Sequence, residues 1–211
     1  MCIRDSQKGI NTYSPKVELD MTSVGSLWSK TGKKVDRTNQ PLYCPLTIQL
    51  PEYFDFPAKR IYQSCREISG RRRWVESNLG FKTSVGDSWL GHLWLPIILT
   101  KDQTLFGNII GEGAIPNCYE QSLDFPSSKR KPLYKLATDL LDSLSAIPSV
   151  YLLQFSLYSN EIVFDRLWPF PAAPALASLS GSNIDLYSCH WLCLSGQKIP
   201  GVDEVTTMSI N

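Results

Sequence analysis

No apolar run in this sequence approaches the roughly 20 residues that a membrane-spanning helix needs; the longest, Leu93–Leu99, falls far short. No excess of one charge is present either. Against 21 Lys and Arg stand 20 Asp and Glu, a net charge of +1, so the chain carries no global field to recruit nucleic acid or an anionic membrane. Cysteine gives no paired framework. Beyond Cys2 there are Cys44, Cys65, Cys118, Cys189 and Cys193, an odd set that reads as free thiols in a reducing, cytoplasmic compartment. Histidine is limited to His92 and His190. What is present is a globular composition, 43% apolar and 19% charged, enough for a packed core and unlike a disordered chain.

The first residues stand apart. Met1-Cys2-Ile3-Arg4-Asp5-Ser6 reads as a translated sequencing-library adapter, so residues 1–6 are set aside and the natural chain is expected to begin at or before Gln7. Residues 7–44 are polar and aperiodic, as in Ser29-Lys30-Thr31-Gly32-Lys33-Lys34. They are expected to form a mobile arm anchored at Trp28. Residues 45–211 then form the single domain.

Within that domain the fold class is α+β, an antiparallel sheet with packed helices in the order β-β-α-β-β-α. Leu46–Leu50 is a short edge strand between Pro45 and Pro51. Asp55 caps a helix whose apolar residues Ala58, Ile61, Tyr62, Cys65 and Ile68 recur at helical spacing, with Gly70 as its stop. A hairpin follows, Leu93–Thr100 returning as Thr104–Ile110, and Asn117–Ser128 reads as a long connection. The leucine stripe of Leu133, Leu136, Leu140 and Leu144 marks a helix over 129–146. A second hairpin joins Val150–Tyr158 to Glu161–Trp168 around Ser159-Asn160. Short helices are expected around 175–179 and 186–194.

The second hairpin carries the candidate chemistry. A two-residue loop at Ser159-Asn160 places Gln154 directly opposite Asp165, with Phe155 and Phe164 on the other, core face. An amide oxygen beside a carboxylate supplies two hard ligands of the kind Mg²⁺ accepts while bridging to phosphates. The same pair also fits an ordinary polar contact on a half-solvated sheet.

Residues 93–196 resemble the C-terminal half of the ATP-grasp enzymes, especially their carboxylase and carbamoyl-phosphate branches. Leu95-Pro96-Ile97-Ile98-Leu99-Thr100-Lys101-Asp102 is similar to the family's first hairpin run. Leu153-Gln154-Phe155 is similar to its first metal-ligand strand and Ile162-Val163-Phe164-Asp165 to its second, and Leu194-Ser195-Gly196 to its helix end. The resemblance implies Mg and ATP as cofactors and Gln154 and Asp165 as metal ligands. It also shows departures. Asp165 stands for the usual Glu, Leu167 for Asn, and Pro169-Phe170 for a shifted Pro-Arg, with Arg166 expected on the opposite strand face. No nucleotide-covering glycine-rich loop or lysine pair lies upstream. The implied function is a degenerate ATP-grasp-like protein that binds a nucleotide or other small-molecule phosphate without full ligase activity.

Two basic clusters could hold phosphate through bidentate guanidinium contacts, Arg71-Arg72-Arg73 and Lys129-Arg130-Lys131, the second at a helix N-terminus. Both equally fit solvated charge runs. Cys189 and Cys193 are one helical turn apart beside His190, but a zinc site wants a second half that the sequence lacks, so they read as buried thiols. His92 reads as a structural histidine. The alternative function is a non-enzymatic interaction module using the proline-stiffened segment Trp168–Pro174 and the basic clusters. Nucleic acid and membrane are not expected partners.

Overall fold

The computed structural model describes residues 2–29, 41–86, 91–121, 125–181 and 184–201. Its helices are α1 (Cys2–Tyr13), α2 (Val24–Ser29), α3 (Lys59–Arg66), α4 (Ile68–Leu79), α5 (Ser127–Ser143) and α6 (Leu186–Ser195), with a 3₁₀ helix at Ala173–Ser180. The strands are β1 (Lys82–Thr83), β2 (Leu93–Leu99), β3 (Thr104–Phe106), β4 (Ile110–Glu112), β5 (Tyr119–Gln121), β6 (Ser149–Tyr158) and β7 (Glu161–Trp168). They form one sheet in the order β1-β7-β6-β2-β4-β5, with β3 also on β2. All pairs are antiparallel except β1 with β7. The α+β class and its antiparallel sheet stand, with one parallel edge added.

Two apolar layers cover the sheet. The odd-numbered residues of β2 and β6, among them Leu95, Ile97, Tyr151, Leu153 and Phe155, pack with α3, α4 and α5. The leucine stripe of α5 fills this layer: Leu133, Leu136 and Leu140 are fully buried. The even-numbered Trp94, Val150 and Leu152 pack with α6, the 3₁₀ helix and Ile10 of α1. This division follows from the alternation of side chains along a strand. Pro96 is tolerated in a central strand because β2 changes partner there, from β4 at Leu93–Trp94 to β3 at Ile97–Leu99. Its missing N–H falls in that gap.

Several local expectations are corrected. The helix that was to end at Gly70 instead breaks at Glu67 and resumes as α4, which carries Arg71–Arg73 within it and stops at Gly80, φ 70°. Asp55 caps neither helix; Ala58 precedes α3 without a side-chain cap. Leu46–Leu50 is not a strand, and the connection before α5 contains β5. The expected arm is not uniform. Its first part, with residues 2–6, is helix α1, which docks on α6: the Trp191 indole N–H donates to Ser14 Oγ at 2.9 Å. Gly9 lies so close to Ser188 that a Cβ would stand 2.7 Å from its hydroxyl. In that same helix Asp5 Oδ2 and Ser6 Oγ are buried without hydrogen-bond partners. Trp28, the expected anchor, is exposed, and its neighbour Leu27 packs against the core instead. Residues 30–40 lie outside the described residues.

Candidate functional site

The β6–β7 hairpin turns at Ser159 and Asn160, both with positive φ (48° and 63°). That is the geometry of a type I′ turn, whose twist matches the flanking strands. From the turn the register runs as counted from the sequence, Tyr158 with Glu161 through Phe155 with Phe164. Between Gln154 and Phe155 it shifts by one residue, and Gln154 pairs with Arg166. Asp165 is therefore the extra residue of a β-bulge. The expected pairing of Gln154 with Asp165 is corrected, and so is the face expected for Arg166. A guanidinium stands across from Gln154 where a carboxylate was expected.

The bulge aims Asp165 into the interior, where it is 0% exposed. Arg72 Nη2 donates to its Oδ1 at 2.5 Å, and Arg166 Nε to the same oxygen at 3.1 Å. Its Oδ2 accepts the Gly91 N–H at 2.7 Å. Arg72 is used up as well: its Nε donates to the Asp165 carbonyl and its Nη1 to the Gly86 carbonyl. Gln154 joins the same knot, donating to the Gly91 carbonyl at 2.6 Å and accepting the Trp168 indole N–H at 2.9 Å. Gly91 is held through both its N–H and its C=O. It passes so close to Phe155 that a Cβ would meet that residue's backbone N and O at 2.7 Å.

Gln154 and Asp165 thus do meet, but around a backbone segment. Their oxygens already accept hydrogen bonds from Arg72, Arg166, Gly91 and Trp168. This does not suit Mg²⁺, whose carboxylate ligands must present free lone pairs and whose charge is repelled by two guanidiniums. Among the described residues no group of three or more His, Cys, Asp and Glu could hold a metal ion.

The predicted phosphate-binding residues divide. Arg72 is committed to Asp165. Arg71 lies against the Trp74 ring, 5.4 Å from its centroid, and reaches Ser143 at the end of α5; burial lowers its pKa from the usual guanidinium value. Arg73 is exposed on α4. Lys129 and Arg130 lie in the first turns of α5, Arg130 over the Phe125 ring. With a rise of 1.5 Å per residue, the two ends of α5 are about 24 Å apart, so the clusters do not converge on one phosphate. Arg166, expected from the sequence on the opposite strand face, is the cation that the fold brings to the Gln154 position. It is partly exposed and its guanidinium lies 5.8 Å from the Trp168 ring centroid.

The other candidates resolve simply. Cys189 and Cys193 are buried, and burial pushes both thiols up to about 12, so they are neutral and unreactive. His92, expected in a structural setting, is exposed. Pro169, Phe170, Pro171 and Pro174 are buried, with Phe170 against Tyr62 and Trp168. The segment proposed as an interaction rim is largely interior.

No protein-family model and no curated protein sequence matches the chain. Solved structures do. The glycinamide-RNase-transformylase T of Mycobacterium tuberculosis matches over 66% of this chain and 51% of its own, with a TM-score of 0.56 and 14% identity. The phosphoribosylaminoimidazole carboxylase ATPase subunit of Aquifex aeolicus matches over 64% and 49%, with a TM-score of 0.51 and 10% identity. The fold is ATP-grasp-like. The likeness expected from residues 93–196 holds at the level of architecture, and the chain spans about half the length of these two enzymes. Among the described residues no helix is long and apolar enough to cross a membrane.

Proposed function

We propose that this chain is a degenerate ATP-grasp-like domain that binds a nucleotide or another small phosphate compound without Mg²⁺ and without ligating anything. One observation carries the reading: the β-bulge at Asp165 withdraws the carboxylate and puts Arg166 opposite Gln154. A metal–phosphate site needs negative oxygens between protein and ligand. Here two guanidiniums flank one buried carboxylate, leaving an excess positive charge with Arg166 as its partly exposed member. Such a site repels a divalent cation and attracts a phosphate, for which a guanidinium offers charge-assisted hydrogen bonds. The structural neighbours add that this fold serves an ATPase subunit elsewhere.

Titration calorimetry with ATP, ADP and inorganic phosphate, each in Mg²⁺ and in EDTA, tests this. The expected result is saturable binding by at least one of them, with the same affinity in both buffers and no ADP formed from ATP. Arg166→Gln should weaken that binding about tenfold or more, the worth of one charge-assisted hydrogen bond. Absence of binding by all three, or Mg²⁺-dependent tightening with turnover, would each overturn the reading.

A further inference from the structure

Six residues of the arm depart from its aperiodic character. Val17-Glu18-Leu19-Asp20-Met21-Thr22 alternates apolar with polar or charged at every step, the pattern of a strand with one face covered. The structure gives this segment no sheet. Residues 17–23 lie between α1 and α2 in neither helix nor strand, and all are exposed. Val17, Leu19 and Met21 are 44%, 36% and 58% exposed. The Val17 N–H donates back to the Ser14 carbonyl at 3.0 Å. Among the described residues, 18–22 make no hydrogen bond and no ion pair.

An unpaired row of backbone donors and acceptors with alternating side chains is ready to pair with a sheet edge. Its charges limit which edge. Added as a strand, the segment turns Val17, Leu19 and Met21 to one face and Glu18, Asp20 and Thr22 to the other. A second copy fits badly. Antiparallel self-pairing that keeps apolar opposite apolar sets Glu18 against Asp20, Glu18 against itself or Asp20 against itself in the central registers, and like charges directly opposite destabilise a sheet. The edge strands of this chain's own sheet, β1 with 2 residues and β5 with 3, are too short to template the whole segment.

We propose that residues 17–22 bind a partner protein by adding a strand to its sheet, and that the partner's edge strand alternates apolar residues with lysine or arginine. The apolar row extends the partner's covered face, and Glu18 and Asp20 lie across from its cations. Ladder hydrogen bonds supply the affinity and the charges choose the partner. The segment shares no residue with the phosphate site, and its pairing is independent of that reading.

The test uses the intact ¹⁵N-labelled chain and a cyclic β-hairpin peptide whose free strand alternates valine and lysine. The same hairpin with glutamate for lysine is its counterpart. The lysine hairpin should bind saturably and about tenfold or more tighter than the glutamate one, the worth of its cross-strand charge pairs. Amide exchange should slow at every second residue of 17–22, because a strand in an antiparallel pair offers its donors to one neighbour alternately. Glu18→Lys with Asp20→Lys should reverse the preference, and both side chains are exposed, so the exchange spares the fold. Binding of neither hairpin, equal binding of both, or protection that falls outside 17–22 overturns the proposal. So does alternate protection that grows with the concentration of the chain alone, which would make a second copy the partner.

Discussion

Strand β6 carries two buried polar sites, one at its middle and one at its first residues, and the two are opposites. Around Gly91 the side chains of Arg72, Asp165, Gln154 and Trp168 satisfy one another. Around His190 one nitrogen is bonded and the other is not. A network closed on itself fixes a backbone, and what it leaves for a ligand is the partly exposed Arg166 at its edge. A network with one donor left over keeps an unsatisfied polar group in the core. Depth in the core therefore says little about role; what matters is whether each donor and acceptor already has a partner.

The sharpest way to break the closed site is to strand its charge. Arg72→Ala leaves Asp165 buried beside a single partial partner, and unfolding stability in urea should fall by about 3–5 kcal/mol. Replacing both as Arg72→Met with Asp165→Leu should recover part of that loss, because no charge is then left unpaired. Equal losses in the single and double variants would mean that the pair matters by shape alone. Next comes Gly91→Ala. The new methyl would press on the Phe155 backbone, which cannot swing aside, and about 3 kcal/mol should be lost; a neutral result would show that the strands part easily there. The open site gives a smaller, pH-dependent effect. His190 titrates near 3 when folded and near 6.5 when unfolded. Below pH 6.5 the unfolded chain takes up a proton that the folded one refuses. Stability is complete above that pH and falls by about 1.4 kcal/mol for each unit below it, or about 2 kcal/mol by pH 5. Denaturation at pH 7.5 and pH 5 should show this increment in the native chain and its loss in His190→Phe.

Much of the architecture was legible because it repeats locally. The stripe of Leu133, Leu136 and Leu140 announces α5, and Ser159-Asn160 announces a turn that requires positive φ twice. The register near the turn follows by counting. Counting fails at Gln154 because it assumes an unbroken period of two, and the inserted residue leaves no mark in composition. The partners of Asp165 were hidden for a different reason: Arg72 is 93 residues away and Gly91 is 74. Three consecutive arginines look alike in sequence, yet one is buried, one lies half-covered on Trp74 and one faces solvent. Cys189 and Cys193 are the buried thiols their sequence suggested, whereas nothing in a helix apolar on every side signals that one ring nitrogen of His190 lacks a partner.

The docking of α1 on α6 has a kinetic meaning. Its hydrogen bonds join Ser14 to Trp191 and Gln197, separations of 177 and 183 residues. Closing so long a loop carries a larger entropic cost than any hairpin in the sheet, so this contact forms after the strands have paired. Its release breaks no strand pairing, since α1 adds no strand. The helix can lift away as a unit while the sheet stays intact. Departure would uncover Ile10 and the α6 surface beneath it, giving the molecule a partly opened form distinct from global unfolding.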